Sequence, residues 1–520
     1  RDWLKFLLCP FVLHVVLMAI TVLLSSGSTL DVDLVGVDCA ATVRQRVAEA
    51  LHISVHRVRL VTEDGRELQD SSSLIDLNLS EEESTLTAVV LCDEAEARFA
   101  ELANVKSFEE LSTCTDLSLR GDTRKCNRDM GITRFPDNLK KLHVLRTLRL
   151  KHFHLVTTLP DSFGELSSLQ TLSLWDNALA SLPKNFGHLP SLQCLEIKSH
   201  SKLKALPASF GALASLHTLE ICNCALQALP DTFGALASLR TLEIYNCALQ
   251  ALPDTLGNIG SLHTLSLRSN RRIRRLPDSI FKLTALQRLC LTSNSIEALP
   301  PCGGCGQLRS LTCLSLDGNS LTMLPDDFVQ FPALSSLSIY NNRLESLPVL
   351  FGHLSNLEFL NLSNNRLSAL PVSFGQLSKL EDARLSSNRL KALPESFGCL
   401  CSLRAVHLDC NCLQVLPESF GSLHGLERAQ LSYNSLRALP PSLGQLARLW
   451  GFWLSHNMLT SLPASFGHLE SLVVLSLDSN RLPPMLLLNT SRVKLMLARS
   501  RTFTLLLLIF KFCVLIGLAV

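Results

Sequence analysis

The chain has 520 residues, of which 47% are hydrophobic, and 48 basic side chains against 46 acidic ones give a formal net charge of +2. A balance so close to neutral offers no electrostatic basis for binding nucleic acid, because that function needs a concentrated basic surface. The 18 cysteines are scattered along the chain. This usage is typical of a reducing compartment and argues against a secreted disulfide scaffold.

The first predicted feature is an apolar stretch at residues 3–24. One interpretation is a signal anchor, because the stretch is long enough to approach a membrane crossing. The interpretation that we favour assigns residues 1–17 to an apolar N-terminal extension and begins a folded domain at Met18. Two segments of alternating polarity then flank the turn Ser25-Ser-Gly-Ser, which predicts a β-hairpin.

A small domain is predicted over residues 18–92. After the hairpin, the apolar spacing predicts a helix from Thr42 to Leu51, a second hairpin beginning at Arg59, and a last strand from Ser84 to Leu91. This order of elements resembles ubiquitin. The resemblance implies a β-grasp fold and a docking module.

The resemblance also extends to the patch through which ubiquitin-like domains bind partners. Val61 and Val89 fall on two of its apolar positions, but the third would fall at Ser25, which is polar. No Arg-Gly-Gly ending follows Leu91, so the domain is not expected to be a conjugatable tag. Residues 93–116 are then predicted to form a helical linker, which we expect to cap the repeats that follow because terminal units of arrays are atypical.

A repeat of 23 or 24 residues occupies residues 117–482. Its period is marked by prolines, all but the first of which follow a leucine: Pro136, Pro160, Pro183, Pro207, Pro230, Pro253, Pro277, Pro300, Pro325, Pro348, Pro371, Pro394, Pro417, Pro440 and Pro463. A fixed period of this length predicts about fifteen stacked units that form one solenoid, because no single unit can bury its apolar face alone.

The repeated pattern is Leu-x-x-Leu-x-Leu-x-x-Asn-x-Leu-x-x-Leu-Pro-x-x-Phe-Gly-x-Leu, and each part has a physical reason. Leu-x-Leu alternates with period two and predicts a short strand with its leucines inward. The Asn turns the chain and can satisfy buried backbone groups, and Cys224 and Cys247 occupy the same slot. The Pro fixes an extended return, and the Gly permits a bend. One continuous stack of rings is predicted for Phe163, Phe186, Phe210, Phe233, Phe351, Phe374, Phe397, Phe420 and Phe466.

This pattern resembles the leucine-rich repeat, and its Leu-Pro and Phe-Gly turns are most similar to the intracellular Ras-group and Scribble-type members. The resemblance implies an α/β solenoid, a horseshoe with short parallel strands on its concave face. It also implies an adaptor in signalling. Two units depart from the period by one residue, at His200-Ser-Lys and Arg271-Arg-Ile, and a third carries the insertion Pro301-Cys-Gly-Gly-Cys-Gly.

Neither a metal nor another cofactor is expected. Cys302 and Cys305 have the spacing of a ligand pair, but zinc needs four ligands and no second pair lies in an obvious partner position. We therefore interpret the insertion as a Gly-rich loop. The sequence also has no phosphate-cradling glycine loop, nucleophile elbow or His-Glu-x-x-His motif, so it predicts no enzyme.

The predicted binding surface is the outward side of the strands. At the middle outward position, Glu196, Glu220 and Glu243 are consecutive and form an acidic ladder, flanked by Lys198 and Arg268. Strands lie about 4.8 Å apart, so these like charges repel unless a cation neutralises them. Aromatic anchors of the kind enriched in binding hot spots stand nearby at Trp175 and Tyr245. A second candidate site lies further along the chain and comprises Tyr340, Arg384, His407, Tyr433 and Trp453.

The last segment, residues 483–520, ends in an apolar run from Thr502 to Val520. One interpretation is a tail anchor with both domains in the cytosol, although Lys511 would cost about 2.5–3.5 kcal/mol at the centre of a bilayer. The alternatives are an apolar cap over the last repeat and an aberrant end of the chain.

The leading hypothesis is a non-enzymatic cytoplasmic scaffold that binds a protein partner on the concave face of the solenoid. The alternatives are a membrane-anchored receptor-like protein and a substrate adaptor in the ubiquitin pathway. The identity of the partner and the oligomeric state are not encoded in any motif.

Overall fold

A computed structural model describes residues 12–16, 20–23, 29–32, 40–50, 58–61, 69, 85–90, 94–105, 107–121, 132–300 and 308–483. Several predictions fall outside these residues: the turn at Ser25, the return strand of the second hairpin, the cysteine insertion and the apolar run from Thr502 to Val520. The chain divides into two compact units, residues 1–113 with 134–138 and residues 114–133 with 139–520. Among the helices described, none has the length and apolar character that a membrane crossing needs.

In the first unit, the described residues form five short strands and two α-helices. They are β1 Val12–Val16, β2 Ile20–Leu23, β3 Thr29–Val32, α1 Ala40–Ala50, β4 Val58–Val61, β5 Thr85–Val90 and α2 Glu94–Leu102. Strands β2 and β3 pair antiparallel as the predicted hairpin, and β5 pairs antiparallel with both β1 and β4. The predicted domain begins at Met18, but β1 lies before this residue and pairs with β5. The predicted boundary after residue 17 therefore separates β1 from its partner strand. The ubiquitin-like assignment stays a prediction.

A small aromatic core lies beside α2. Phe99 on this helix is buried, and its ring centroid lies 5.8 Å from that of Phe108 and 5.7 Å from that of Phe135. The neighbouring Glu96 is buried too, and its carboxylate accepts a hydrogen bond of 2.7 Å from the side-chain amide of Asn138. Burial of a carboxylate is tolerated when a donor of this kind satisfies it.

The second unit is a solenoid built on one parallel sheet of 16 strands, arranged in chain order. The strands are β6 Asp116–Arg120, β7 Thr147–Lys151, β8 Thr171–Trp175, β9 Cys194–Lys198, β10 Thr218–Cys222, β11 Thr241–Tyr245, β12 Thr264–Ser266, β13 Arg288–Cys290, β14 Cys313–Ser315, β15 Ser336–Ser338, β16 Phe359–Asn361, β17 Asp382–Arg384, β18 Ala405–His407, β19 Arg428–Gln430, β20 Gly451–Trp453 and β21 Val474–Ser476. The solenoid fold predicted from the repeat is therefore confirmed.

Short 3₁₀ helices lie between successive strands, on the opposite side of the described repeats. These helices are Glu109–Thr113 in the first unit and, in the solenoid, Leu139–Lys141, Asp161–Glu165, Phe186–His188, Ala208–Ala212, Asp231–Ala235, Asp254–Asn258, Asp278–Lys282, Asp326–Val329, Phe351–His353, Val372–Gln376, Glu395–Cys399, Glu418–Ser422, Pro441–Gln445 and Ala464–His468. Most begin directly after the repeated proline, as at Pro371, which is extended with φ −67° and ψ 153°. The proline thus fixes the extended return, as predicted.

The repeated asparagine forms hydrogen bonds with buried backbone groups of its own repeat and of the preceding one. The side-chain amide of Asn365 donates to the carbonyls of Ile339, at 2.8 Å, and Leu362, at 3.0 Å, while its oxygen accepts from the backbone N–H of Leu344 at 3.0 Å. The pattern recurs at Asn177, Asn270, Asn294, Asn319, Asn342, Asn388, Asn411, Asn434, Asn457 and Asn480. The predicted role of the Asn is therefore confirmed.

Four of the described repeats fill the asparagine slot with another residue: Phe153, His200, Cys224 or Cys247. The thiols of Cys224 and Cys247 lie 3.6 and 3.9 Å from the carbonyls that an amide would contact, those of Ile197 and Ile221. His200 is fully buried, and its Nε2 lies 3.1 Å from the Leu174 carbonyl. Burial lowers the pKa of this imidazole, because a charged ring loses its hydration there, and hydrogen bonds to backbone groups offset only part of the effect.

The phenylalanines stack in two runs, so the prediction of one continuous stack is wrong. Phe163 to Phe233 form the first run and Phe351 to Phe420 the second, with ring centroids 5.9–6.3 Å apart and ring planes within 10° of parallel. Leu256 and Ile280 hold the equivalent buried positions between the runs. Because strands stack at about 4.8 Å, the ring side of each repeat is wider than the strand side. The strands therefore line the concave side of the solenoid.

The glycine after each phenylalanine is required by a close contact. A Cβ atom on Gly375 would lie 2.0 Å from the backbone oxygen of Ser396 in the next repeat, and the same clash recurs along the stack. Among the described glycines, only Gly318 has a positive φ. The predicted role of this glycine, freedom to bend, is therefore wrong, and close packing of successive repeats takes its place.

Candidate functional site

The strand face is the outward side of the 16-stranded sheet, and the pairing register defines its rows. The middle row includes Ser173, Glu196, Glu220, Glu243 and Ser266, each directly beside the next. Alternation places these side chains outward because the leucines and isoleucines between them are buried in the core. The predicted acidic ladder is therefore assembled by the fold.

One cation bridges the first two carboxylates of this ladder. The Lys198 ammonium lies 2.8 Å from Glu220 Oε2 and 3.7 Å from Glu196 Oε1. Burial would by itself lower the pKa of Lys198, but the hydrogen bond to Glu220 and the charges of both glutamates outweigh it and raise the pKa. The hydroxyl of Ser173 donates a further hydrogen bond of 3.0 Å to Glu196 Oε2. Glu196 and Glu220 are thus both in contact with a cation within the sheet, although one lysine offsets only one of their two negative charges.

Tyr245 is tied to the same cluster. Its hydroxyl donates a hydrogen bond of 2.7 Å to Glu220 Oε1. The hydrogen bonds to the Cys222 thiol and to Glu220, together with burial, raise the pKa of the phenol. Burial also raises the pKa of the Cys222 thiol. The tyrosine is therefore neutral and held in place. A fixed side chain suits a binding anchor, because little further side-chain entropy is lost when a partner binds.

Glu243 differs from the other two glutamates. Within residues 132–300 and 308–483, no hydrogen bond or ion pair reaches its half-buried carboxylate. Arg268, expected to flank the ladder, is exposed, and its Nε donates to the Ser266 hydroxyl at 3.1 Å. The ladder therefore ends in one carboxylate that is still available to a cation from outside.

Trp175 provides an exposed aromatic surface at the other end of the ladder. Its side chain is 44% exposed, and the Lys151 ammonium lies 4.6 Å from its ring centroid. Trp175 pairs in register with Lys198, so it stands beside the bridged glutamates. An exposed indole next to charged groups is typical of a binding hot spot.

The second predicted site is only partly brought together. Arg384 lies over the Phe359 ring at 4.9 Å and contacts the carboxylate of Asp382 at 3.0 Å. His407 Nε2 lies 3.8 Å from the other oxygen of Asp382, and its Nδ1 lies 2.9 Å from Gln430 Oε1. Asp382 and Phe359 were missed by the sequence analysis, although both occupy the first outward position of their strands.

The three aromatic members of this site lie apart from that cluster. Tyr340 follows β15, two strands before Arg384 on β17, and its side chain is 44% exposed. Tyr433 is in the turn after β19 with φ 59°, and its ring stacks on His456 at 4.2 Å. The Trp453 ring packs edge to face with Trp450 at 6.2 Å. The structure therefore makes the first site the more coherent of the two.

Within the part of the chain that the structure describes, one group of possible metal ligands is present, and the sequence analysis did not find it. His152, His154 and Asp176 place one ligand atom each within 4.8 Å of one another, and His152 Nδ1 lies 2.9 Å from Asp176 Oδ2. The His-x-His spacing was the available signal. The short contact between His152 and Asp176 also forms a complete hydrogen bond without a metal.

Comparisons with known proteins agree with this architecture. A family model described as a leucine-rich repeat region matches residues 122–245, and a second, described as a leucine rich repeat, matches residues 260–321 and 309–367. A comparison with curated proteins gave no significant match.

Two solved structures illustrate the likeness. A leucine-rich repeat protein of Leptospira interrogans is 31% identical with a TM-score of 0.62, and the match covers 77% of this chain and 96% of that protein. A chain of the glycosylated Drosophila Toll–Spatzle complex is 25% identical with a TM-score of 0.56, and the match covers 66% of this chain and 53% of that chain. The present chain thus spans about half the length of the matched chain of the complex.

Proposed function

The chain belongs to the leucine-rich repeat family, and from this premise we propose that it is a non-enzymatic scaffold that binds a protein partner on its strand face. Members of this family generally mediate protein–protein interaction and are typically not enzymes. The Toll–Spatzle structure is a complex of such a protein with a protein ligand, which supports the same class of partner. Intracellular signalling is the proposed setting, and it rests on the Leu-Pro and Phe-Gly turns of the sequence.

The observation that carries the proposal is the unneutralised carboxylate of Glu243 at the end of a pre-organised cluster. Lys198, Glu220 and Tyr245 hold one another through contacts of 2.8 and 2.7 Å, so they present a fixed surface. A partner gains affinity when it meets groups that are already ordered. The partner is expected to bring an Arg or Lys to Glu243 and an apolar group to Trp175.

The test uses the full-length protein as bait, with cross-linking and mass spectrometry to locate each bound protein on its surface. Glu243→Lys is the test variant, because Glu243 supports no contact within the described part of the solenoid and its reversal should leave the fold intact. Glu165→Lys is the matched control, since Glu165 is exposed on a 3₁₀ helix on the opposite side.

A partner that cross-links to the strand face and is lost with Glu243→Lys, but retained with Glu165→Lys, supports the proposal. Charge reversal at a buried contact should weaken binding by about 2 kcal/mol or more, which is about thirtyfold in affinity. A set of partners that both variants bind equally well would refute the assignment to this site.

A further inference from the structure

An arginine-lined groove lies away from the strand face, where the chain leaves the asparagine turns. We define it by Arg271, Arg272 and Arg274 on one wall and Arg343 on the other, with a volume of about 820 Å³. The walls belong to the repeats of β12 and β15. Three strand spacings of about 4.8 Å therefore place their backbones about 14 Å apart.

The floor of the groove is built from short polar side chains. Ser295, Ser320 and Thr322 occupy the two intervening repeats, where longer side chains would fill the space. The hydroxyl of Ser295 donates to the Arg271 carbonyl at 2.8 Å, which ties the floor to the first wall. The depression thus results from two repeats whose lining residues, apart from Glu297, are small, between two repeats with arginines.

The extra residue of one repeat contributes to the charge of the first wall. This repeat has Arg271-Arg-Ile after its asparagine, where the next has Ser295-Ile, and the extra position is occupied by Arg272. Ile273 is fully buried and anchors the segment, so the adjacent arginines remain exposed at the rim. The extra residue of this repeat therefore concentrates positive charge at one place, and the proposed scaffold function assigns it no role.

The positive charge of the groove is offset by its own lining residues only in part. Across residues 132–300 and 308–483, no salt bridge involves Arg271, Arg272, Arg274 or Arg343. Glu297 is the single acidic residue among those lining the groove. Four guanidinium groups around one depression repel one another, and a bound anion would remove this repulsion.

We propose that this groove binds a compact organic polyphosphate, a ligand that carries two or more phosphate groups. The planar fork of arginine matches the oxygens of phosphate in a bidentate manner, and hydroxyl donors on the floor suit the same oxygens. A volume of about 820 Å³ is in the range of small-molecule sites, which favours such a ligand over a folded protein partner. This proposal does not depend on the strand-face function.

The chemistry fits two sources, a free metabolite and the headgroup of a phosphorylated lipid. The experiment therefore has two arms. In the first, isothermal titration calorimetry measures binding of inositol hexakisphosphate to the full-length protein at about 0.15 M salt, where weak long-range attraction is screened. In the second, flotation measures binding to phosphatidylcholine vesicles with and without phosphatidylinositol bisphosphate.

The test variant is the triple change Arg271→Gln, Arg272→Gln and Arg274→Gln. The matched control is Arg366→Gln with Arg389→Gln, because these arginines hold the equivalent position in two later repeats but do not line the groove. All five side chains are exposed, so circular dichroism and the melting temperature should stay unchanged in both proteins.

The triple variant is expected to bind the hexakisphosphate about tenfold more weakly or worse, and the control within about threefold of the wild type. Vesicle binding with the same dependence on the triple change would assign the lipid headgroup as a source, and its absence would assign the free metabolite. No measurable binding by the wild-type protein, or an equal loss in the control, would overturn the proposal.

Discussion

Replacing Lys198 with Met tests whether the acidic ladder is held together by this one cation. The substitution keeps the apolar stem but removes the charge that bridges Glu196 and Glu220. Two carboxylates on neighbouring strands, about 4.8 Å apart, repel each other by about 0.9 kcal/mol in water and by about 3.5 kcal/mol at an effective dielectric constant of about 20.

The effective dielectric constant around the cluster lies between that of water and about 20. The Lys198 side chain is 23% exposed and that of Glu220 is 21% exposed, so solvent screens the charges only in part. We expect Lys198→Met to lower the free energy of unfolding at neutral pH by about 1–2 kcal/mol. This loss is larger than that from breaking a surface ion pair and smaller than that from breaking a fully buried one.

The effect should depend on pH in a defined direction. Because the pKa of Lys198 is raised in the folded protein, its contribution is present below the ordinary lysine pKa of about 10.4 and is lost as the pH rises through the higher folded value.

Urea unfolding followed by circular dichroism at pH 7 and at a pH above the raised pKa of Lys198 would measure both effects. Lys204→Met serves as the control, because Lys204 is exposed and forms no ion pair within the described repeats. A loss of stability no greater than that of the control at pH 7, or a loss of equal size at both pH values, would refute this account of the ladder.

Three further predictions concern the scaffold and can be measured by the same unfolding assay. Asn365→Ala removes the partners of three buried backbone groups and should cost about 3 kcal/mol or more, whereas an unchanged urea midpoint would contradict the ladder model. Gly375→Ala forces a Cβ to within 2.0 Å of Ser396 O and should cost about 1–3 kcal/mol, while Gln376→Ala next to it should cost less than about 0.5 kcal/mol. His200→Asn should reduce the loss of stability between pH 7 and pH 5, because the lowered pKa of the buried imidazole makes its contribution disappear as the pH falls below about 6.5. An identical pH dependence in the variant would show that His200 is not the group responsible.

The periodic features of this protein could be predicted from its sequence. Each unit buries its leucines and hydrogen-bonds the backbone groups of its turn in the same way. The spacing alone therefore specifies the strand, the hydrogen bonds of the repeated asparagine and the order of the strands in the sheet. The register of Glu196, Glu220 and Glu243 follows from the same spacing, because equal repeats stack in line. The helix Glu94–Leu102 also lies within the segment 93–116 that was predicted to be helical.

The contacts among side chains on the surface were decided only by the tertiary structure. The sequence placed Lys198 and Arg268 as equal flanks of the ladder, but only the lysine reaches the glutamates, while the arginine turns to Ser266. Surface side chains have several rotamers, and their choice depends on neighbours in adjacent repeats, so no periodic rule determines it.

The tertiary structure alone also decided the role of the repeated glycine and the groove between Arg271 and Arg343. Both arise from how one repeat meets another: Gly375 is required by the backbone of the following repeat, and the groove needs two arginine walls separated by repeats with small residues. Local sequence determined what each unit is, because burial and turn geometry act within about 24 residues. The stacking of units determined which surface residues meet, because those residues are distant in the chain and become neighbours only after the sheet has formed.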